Sequence, residues 1–148
     1  MISVKEIHSK KELKQFVKFP FKLYKNNEYW VPPIINEEIE SFDKNINPVF
    51  QNAEGRFFLA YENNKIVGRV GALINWIEVK EQGIKKMRFG WFDVIDKQEV
   101  TNALLDKVNE IGKENNLEFI EGPIGFSNLD KVGVVYEGFD QIGSMITW

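Results

Sequence analysis

Residues 86–122 read KMRFGWFDVIDKQEVTNALLDKVNEIGKENNLEFIEG, and this stretch decides the fold. Lys86 to Ile95 is rich in aromatic and β-branched side chains and reads as a strand. Asp96, followed three residues later by Glu99, carries the capping-box signature, with Asp96 as N-cap. Val100, Leu104, Val108 and Ile111, reinforced by Leu105, then fall on one helical stripe. Asn115-Asn116 stops the helix, and Phe119 to Gly122 forms a further strand. A strand, a helix and a strand in this order predict a parallel pair joined by a crossover.

Working back from there, Arg56 to Tyr61 reads as a strand and Asn63-Asn64 as a hairpin turn, because Asn tolerates positive φ. A long strand is predicted from Ile66 to about Val79, with Gly68 and Gly71 marking a bulge or a close backbone approach. With Gln82-Gly83 as the next turn, this segment is an antiparallel meander. At the N-terminus, Ile2 to Ile7 reads as a strand. Ser9 and Glu12 then open a helix carrying Leu13, Phe16, Val17, Phe21 and Tyr24, which Pro20 is expected to break or kink. Tyr29-Trp30-Val31-Pro32-Pro33 is forced into an extended path, and a shorter helix follows from Asn36 to about Phe42. After Gly122 the chain reads as loop.

Composition narrows the function classes. The chain has 148 residues, a net charge of −3, 43% hydrophobic residues and 14% aromatics, which fits one domain with a bulky core. There is no cysteine and one histidine, His8, so thiolate and multi-histidine metal sites are excluded. His8 reads as a solvated surface residue. The lysines look scattered and often sit beside Glu, with no basic stripe interleaved with aromatics, so neither nucleic acid nor membrane is expected as a partner. No signal-peptide pattern opens the chain and no apolar run approaches the ~20 residues that span a bilayer, which places it by default in the cytoplasm.

The order β-α-α-β-β-β-α-β, with FPFKLYKNNEYWVPP (19–33), FFLAYENNKIVGRVGALIN (57–75), RFGWFDVID (88–96) and EGPIGFSNLDKVGVVYEGFD (121–140), resembles an uncharacterised bacterial family of GNAT-like proteins, the acyl-CoA N-acyltransferase fold. The resemblance implies an α/β (α+β) mixed sheet in one domain over residues 1–148, stopping before that fold's last helix and strands. A homodimer or a further C-terminal segment would then complete the sheet. The apolar end Met145-Ile146-Thr147-Trp148 is expected to be covered. The implied activity is transfer of an acyl group from acetyl-CoA or another acyl-CoA to a small-molecule amine. Against it, GNAT proteins carry a glycine-rich loop for the CoA pyrophosphate before this helix. Here the matching stretch, Asp93 to Glu99, has no glycine and three carboxylates. The alternative is a GNAT-fold binding or interaction domain without catalysis.

Candidate site residues follow from position. Glu121, at the carboxyl end of its strand, is a candidate general base whose pKa partial burial would raise, or a structural turn residue. Asp93 is a candidate buried base or polar anchor, or a helix-capping carboxylate, a role that needs no further partner. Trp30, Trp91 and Phe126 are candidates for an aromatic substrate groove, or core rings. Arg88 pairs an anionic substrate or a surface Glu. Asp130 and Glu137 do not match a calcium-loop spacing, so no metal is expected, and the glycines from Gly122 to Gly138 form no dinucleotide fingerprint.

Overall fold

The structure, a computed structural model, describes residues 1–143, so the expectation about Met145 to Trp148 lies outside the described residues. The elements are β1 (Ile2–Glu6), α1 (Lys10–Leu23), α2 (Ile35–Ser41), a 3₁₀ turn (Pro48–Gln51), β2 (Ala53–Glu62), β3 (Lys65–Asn75), α3 (Trp76–Lys80), β4 (Lys86–Val94), α4 (Gln98–Glu114) and β5 (Phe119–Glu121). The five strands form one sheet in sequence order. The pairs β1–β2, β2–β3 and β3–β4 are antiparallel and β4–β5 is parallel, as the crossover predicts.

Alternation along the strands gives the sheet two buried faces. On one, the α4 stripe Val100, Leu104, Val108 and Ile111 packs onto Phe58, Val70, Ile74 and Met87. On the other, α1 brings Phe16 and Val17 against Phe42, Phe57, Leu59, Leu73 and Trp91. Gly68 lets α4 approach β3, since a Cβ there would sit 2.9 Å from both Leu104 Cδ1 and Val100 Cγ1.

Three expectations about these elements need correction. The strand predicted to Val79 ends at Asn75, whose side chain caps the short helix α3 by accepting from Ile77 N at 3.0 Å. The helix α1 runs through Pro20 to Leu23 unbroken. Proline has no N–H to give the Phe16 carbonyl, and that carbonyl instead accepts from Arg69 Nη1 at 2.9 Å, reached from β3. Finally, the N-cap of α4 is Lys97, not Asp96, and no side chain caps the helix. Lys97 N bonds to Ile95 O at 2.7 Å, which closes the turn one residue later, while its Nζ reaches Glu62 at 2.5 Å. Asp96 is left exposed.

Candidate acyl-transfer site

The site grows from a defect in β4. Gly71 pairs with Gly90 and Arg69 with Asp93, so β4 advances three residues while β3 advances two. The extra residue makes a bulge, and Trp91 takes φ +46° within it. A bulky residue in that region costs about 1–3 kcal/mol, so packing must hold it. Trp91 is buried among Phe42, Phe57 and Phe126, and its Nε1 donates to Glu38 at 3.2 Å.

The second cause is the shortness of β5. It pairs only Phe119, Ile120 and Glu121 with Lys86, Met87 and Arg88. Ile124 N still donates to Phe89 O at 2.8 Å, and the approach there is so close that a Cβ on Gly90 would lie 2.5 Å from Ile124 O. The chain then turns away: Gly125 N bonds to Asp130 O at 2.7 Å. Among the described residues, none pairs with that edge of β4 beyond Gly90. A cleft of about 560 Å³ forms between Phe92 and Asp93 of β4, Tyr24 to Val31 after α1, and the strap of residues 133–143.

The floor of this cleft is fixed by a buried relay. Asp93 Oδ2 accepts from Arg69 Nε at 2.7 Å, and Asp93 Oδ1 accepts from the Tyr24 hydroxyl at 2.8 Å. Arg69 is fully buried over the Phe16 ring and Asp93 nearly so. Burial, then the Asp93 charge, pushes the Tyr24 phenol far above its ordinary range, so it stays protonated. Its hydrogen is committed to Asp93, and its oxygen lone pairs remain available. Tyr24, Tyr29, Trp30, Phe92 and Phe139 give the walls an aromatic character, and Glu137 adds a second carboxylate. Among the described lining residues there is no Lys, Arg or His.

Of the residues singled out in the sequence, the cleft brings together Trp30, Asp93 and Glu137. Asp93 is no helix cap: it faces α1, on the side of the sheet opposite α4. Of the two readings of Trp30, Trp91 and Phe126, the core one describes Trp91 and Phe126, which pack edge to face in the core with centroids 5.4 Å apart, so the three form no common groove. Arg88 is buried, with Nε 3.1 Å from Glu78 Oε2 and Nη2 3.0 Å from Asn128 Oδ1, so it makes no surface pair. Glu121 is exposed and bonded to Lys86 at 2.8 Å. That hydrogen bond holds its carboxyl below the ordinary carboxylate range, the reverse of the expected rise. Asp130 accepts from Phe126 N at 3.2 Å and closes its own loop, with burial raising its carboxyl. Beside it, Lys131 turns into the core to pair with Glu38 over the Trp91 ring, and burial pulls its ammonium below the ordinary lysine value. Among the described residues no group of three or more His, Cys, Asp or Glu is placed to hold a metal.

Sequence reasoning missed Tyr24 and Arg69 as site residues. One signal was available: a proline inside a helix leaves a carbonyl that a buried donor must satisfy.

The fold recurs in solved structures. Solved GNAT acetyltransferases share it, among them a predicted acetyltransferase from Clostridium acetobutylicum determined with acetyl-CoA, at TM-score 0.57 and 16% identity over 82% of this chain and 79% of that one. No family model matches the chain. By sequence it is similar to Protein YghO of Escherichia coli K12, with 30% identity over 137 residues, 93% of this chain and 35% of that protein. It is also similar to the bacterial ceramide synthase of Caulobacter vibrioides, with 28% identity over 140 residues, 94% of this chain and 36% of that protein. The chain thus spans about a third of the length of the curated relatives it matches.

Proposed function

We propose that this chain takes part in N-acyl transfer, joining the acyl group of an acyl-CoA thioester to an amine with an apolar body. The observation that carries the reading is the cleft at the open end of β4: aromatic and aliphatic walls, two carboxylates and no cationic side chain among the described lining residues. Such a lining suits an ammonium or amine head joined to hydrocarbon, through the Glu137 carboxylate, the Tyr24 hydroxyl oxygen and cation–π contact. The similarity to a bacterial ceramide synthase supports a long-chain amino alcohol as acceptor, since a ceramide is the amide of such an amine.

In this reading the amine nitrogen, hydrogen-bonded to Tyr24 Oη, attacks the thioester carbonyl. The C–N bond forms, the C–S bond breaks, and the proton shed by nitrogen passes through water to the departing thiolate. A backbone N–H of β4 beside the register shift between Gly90 and Asp93 would polarise the carbonyl. Glu121 has no part, because its carboxyl is ion-paired outside the cleft.

A second reading, a binding domain without turnover, is favoured by one feature. Asp96 and Glu99 flank the start of α4, where a diphosphate would be repelled. The turned-away Asp93 leaves two carboxylates there in place of the three expected.

The test is incubation of the chain with palmitoyl-CoA and sphinganine, following free thiol and the amide product by mass spectrometry. Amide formation that Tyr24→Phe slows supports transfer. Saturable binding of sphinganine with no thiol release supports the second reading, and neither binding nor turnover overturns both.

A further inference from the structure

The lysines that look scattered along the sequence are gathered by α1. Residues 10–25 hold six of them, Lys10, Lys11, Lys14, Lys18, Lys22 and Lys25, against a single carboxylate, Glu12, in a chain whose net charge is −3. Glu12 is already engaged by Ser9 and by the His8 backbone N–H. At about 100° per residue, the five lysines inside α1 span an arc of about 120°, centred opposite the buried face made by Phe16, Val17, Phe19 and Pro20. All six are exposed, and none pairs with a carboxylate among the described residues.

This ridge ends at the cleft. Leu23, Tyr24, Asn27 and Phe139 share a shallow hollow where α1 meets the strap, and Gly143 N reaches Tyr29 O at 3.3 Å. The strap shows bare hydrocarbon to solvent: Tyr136 is 84%, Ile142 77%, Phe139 69% and Val134 63% exposed. A cationic ridge and an unburied apolar strip therefore border one opening. That opening leads to an apolar cleft.

We infer that this face is a peripheral docking surface for an anionic phospholipid bilayer. The α1 lysines meet the headgroup phosphates, and Phe139 and Ile142 enter the acyl boundary beside the cleft mouth. Charge complementarity selects an anionic partner. The exposed apolar strap selects a lipid surface over nucleic acid, because a phosphate backbone offers those side chains nothing to pack on. No helix of the described residues is long and apolar enough to cross a membrane. The inference stands on surface geometry and does not depend on acyl transfer.

The test is sedimentation of the 148-residue chain with vesicles of phosphatidylcholine, alone or mixed with phosphatidylglycerol, a measurement that needs no acyl donor or acceptor. The chain is expected to pellet with the mixed vesicles only, and to be released by salt. The variant K14Q/K18Q/K22Q is expected to lose roughly a hundredfold in partition, with binding kept by K14R/K18R/K22R. F139S/I142S is expected to bind more weakly while its circular dichroism is unchanged. Wild-type chain that stays in the supernatant overturns the inference. So does undiminished binding by either the Gln or the Ser variant, the latter because it would reduce the contact to adhesion that any polyanion satisfies.

Discussion

Replacing Asp93 with alanine isolates the relay beneath the cleft. In the folded chain the Arg69 guanidinium is fully buried, with Nε on Asp93 at 2.7 Å, Nη1 on the Phe16 carbonyl at 2.9 Å, and Nη2 without a hydrogen-bond partner among the described residues. The substitution leaves that charge with one neutral acceptor. Breaking a buried pair from one side costs about 3–5 kcal/mol. The Tyr24 hydroxyl loses its acceptor as well, adding about 0.5–1.5 kcal/mol. For a domain of this size the sum corresponds to a fall in Tm of roughly 10–20 °C. Urea unfolding followed by circular dichroism measures it. The double variant R69M/D93A removes charge and counter-charge together and is expected to regain part of the loss, though it orphans the Phe16 carbonyl opposite Pro20. A loss below about 1 kcal/mol for Asp93→Ala would refute the claim that this pair holds α1 to β3 and β4.

Gly68→Ala pushes a methyl against Leu104 and Val100 and is expected to cost about 1–3 kcal/mol in the same unfolding experiment. Gly90→Ala must part β4 from Ile124, so hydrogen exchange at Phe119 to Glu121 is expected to accelerate, and unchanged protection would count against the close approach. The Glu6 carboxyl is held below its ordinary value of 4.5 chiefly by its hydrogen bond to Arg56. The advantage of wild type over Glu6→Gln, under about 1 kcal/mol for so exposed a pair, is therefore complete above pH 4.5 and lost as pH falls through the lower folded value. Comparing the two proteins' denaturation midpoints across acid pH checks this, and a constant difference would contradict it. If the chain turns over acyl-CoA, Glu121→Gln is expected to leave kcat and its pH profile unchanged.

Element order and the parallel β4–β5 pair were legible because periodicity reports burial, and burial on both faces of a sheet leaves clear patterns at Val100 to Ile111 and along β2 to β4. The end of β3 was not, because Ile77-Glu78-Val79-Lys80 alternates like a strand while the Asn75 cap acts through local hydrogen bonds. The start of α4 slipped by a residue because the Ile95–Lys97 turn competes with Asp96 for the cap. Site geometry was the least legible part. Asp93 looked like a cap because its partners, Arg69 and Tyr24, are 24 and 69 residues away in sequence. Trp91 and Phe126 read as groove rings or as core rings, because side-chain type does not reveal which face of the sheet a ring turns to. The lysine ridge of α1 was hidden by reading charges by adjacency instead of at four-residue spacing.

The central claim is that the open end of β4 holds an apolar amine between Asp93, the aromatic walls and the strap. A ¹H–¹⁵N titration of the chain with dodecylamine below its micellar concentration tests it directly. Saturable shifts confined to Tyr24, Asn27, the Trp30 indole, Phe92, Asp93 and the strap are the predicted result. Shifts centred on the start of α4, or none anywhere at the highest soluble amine, would contradict it.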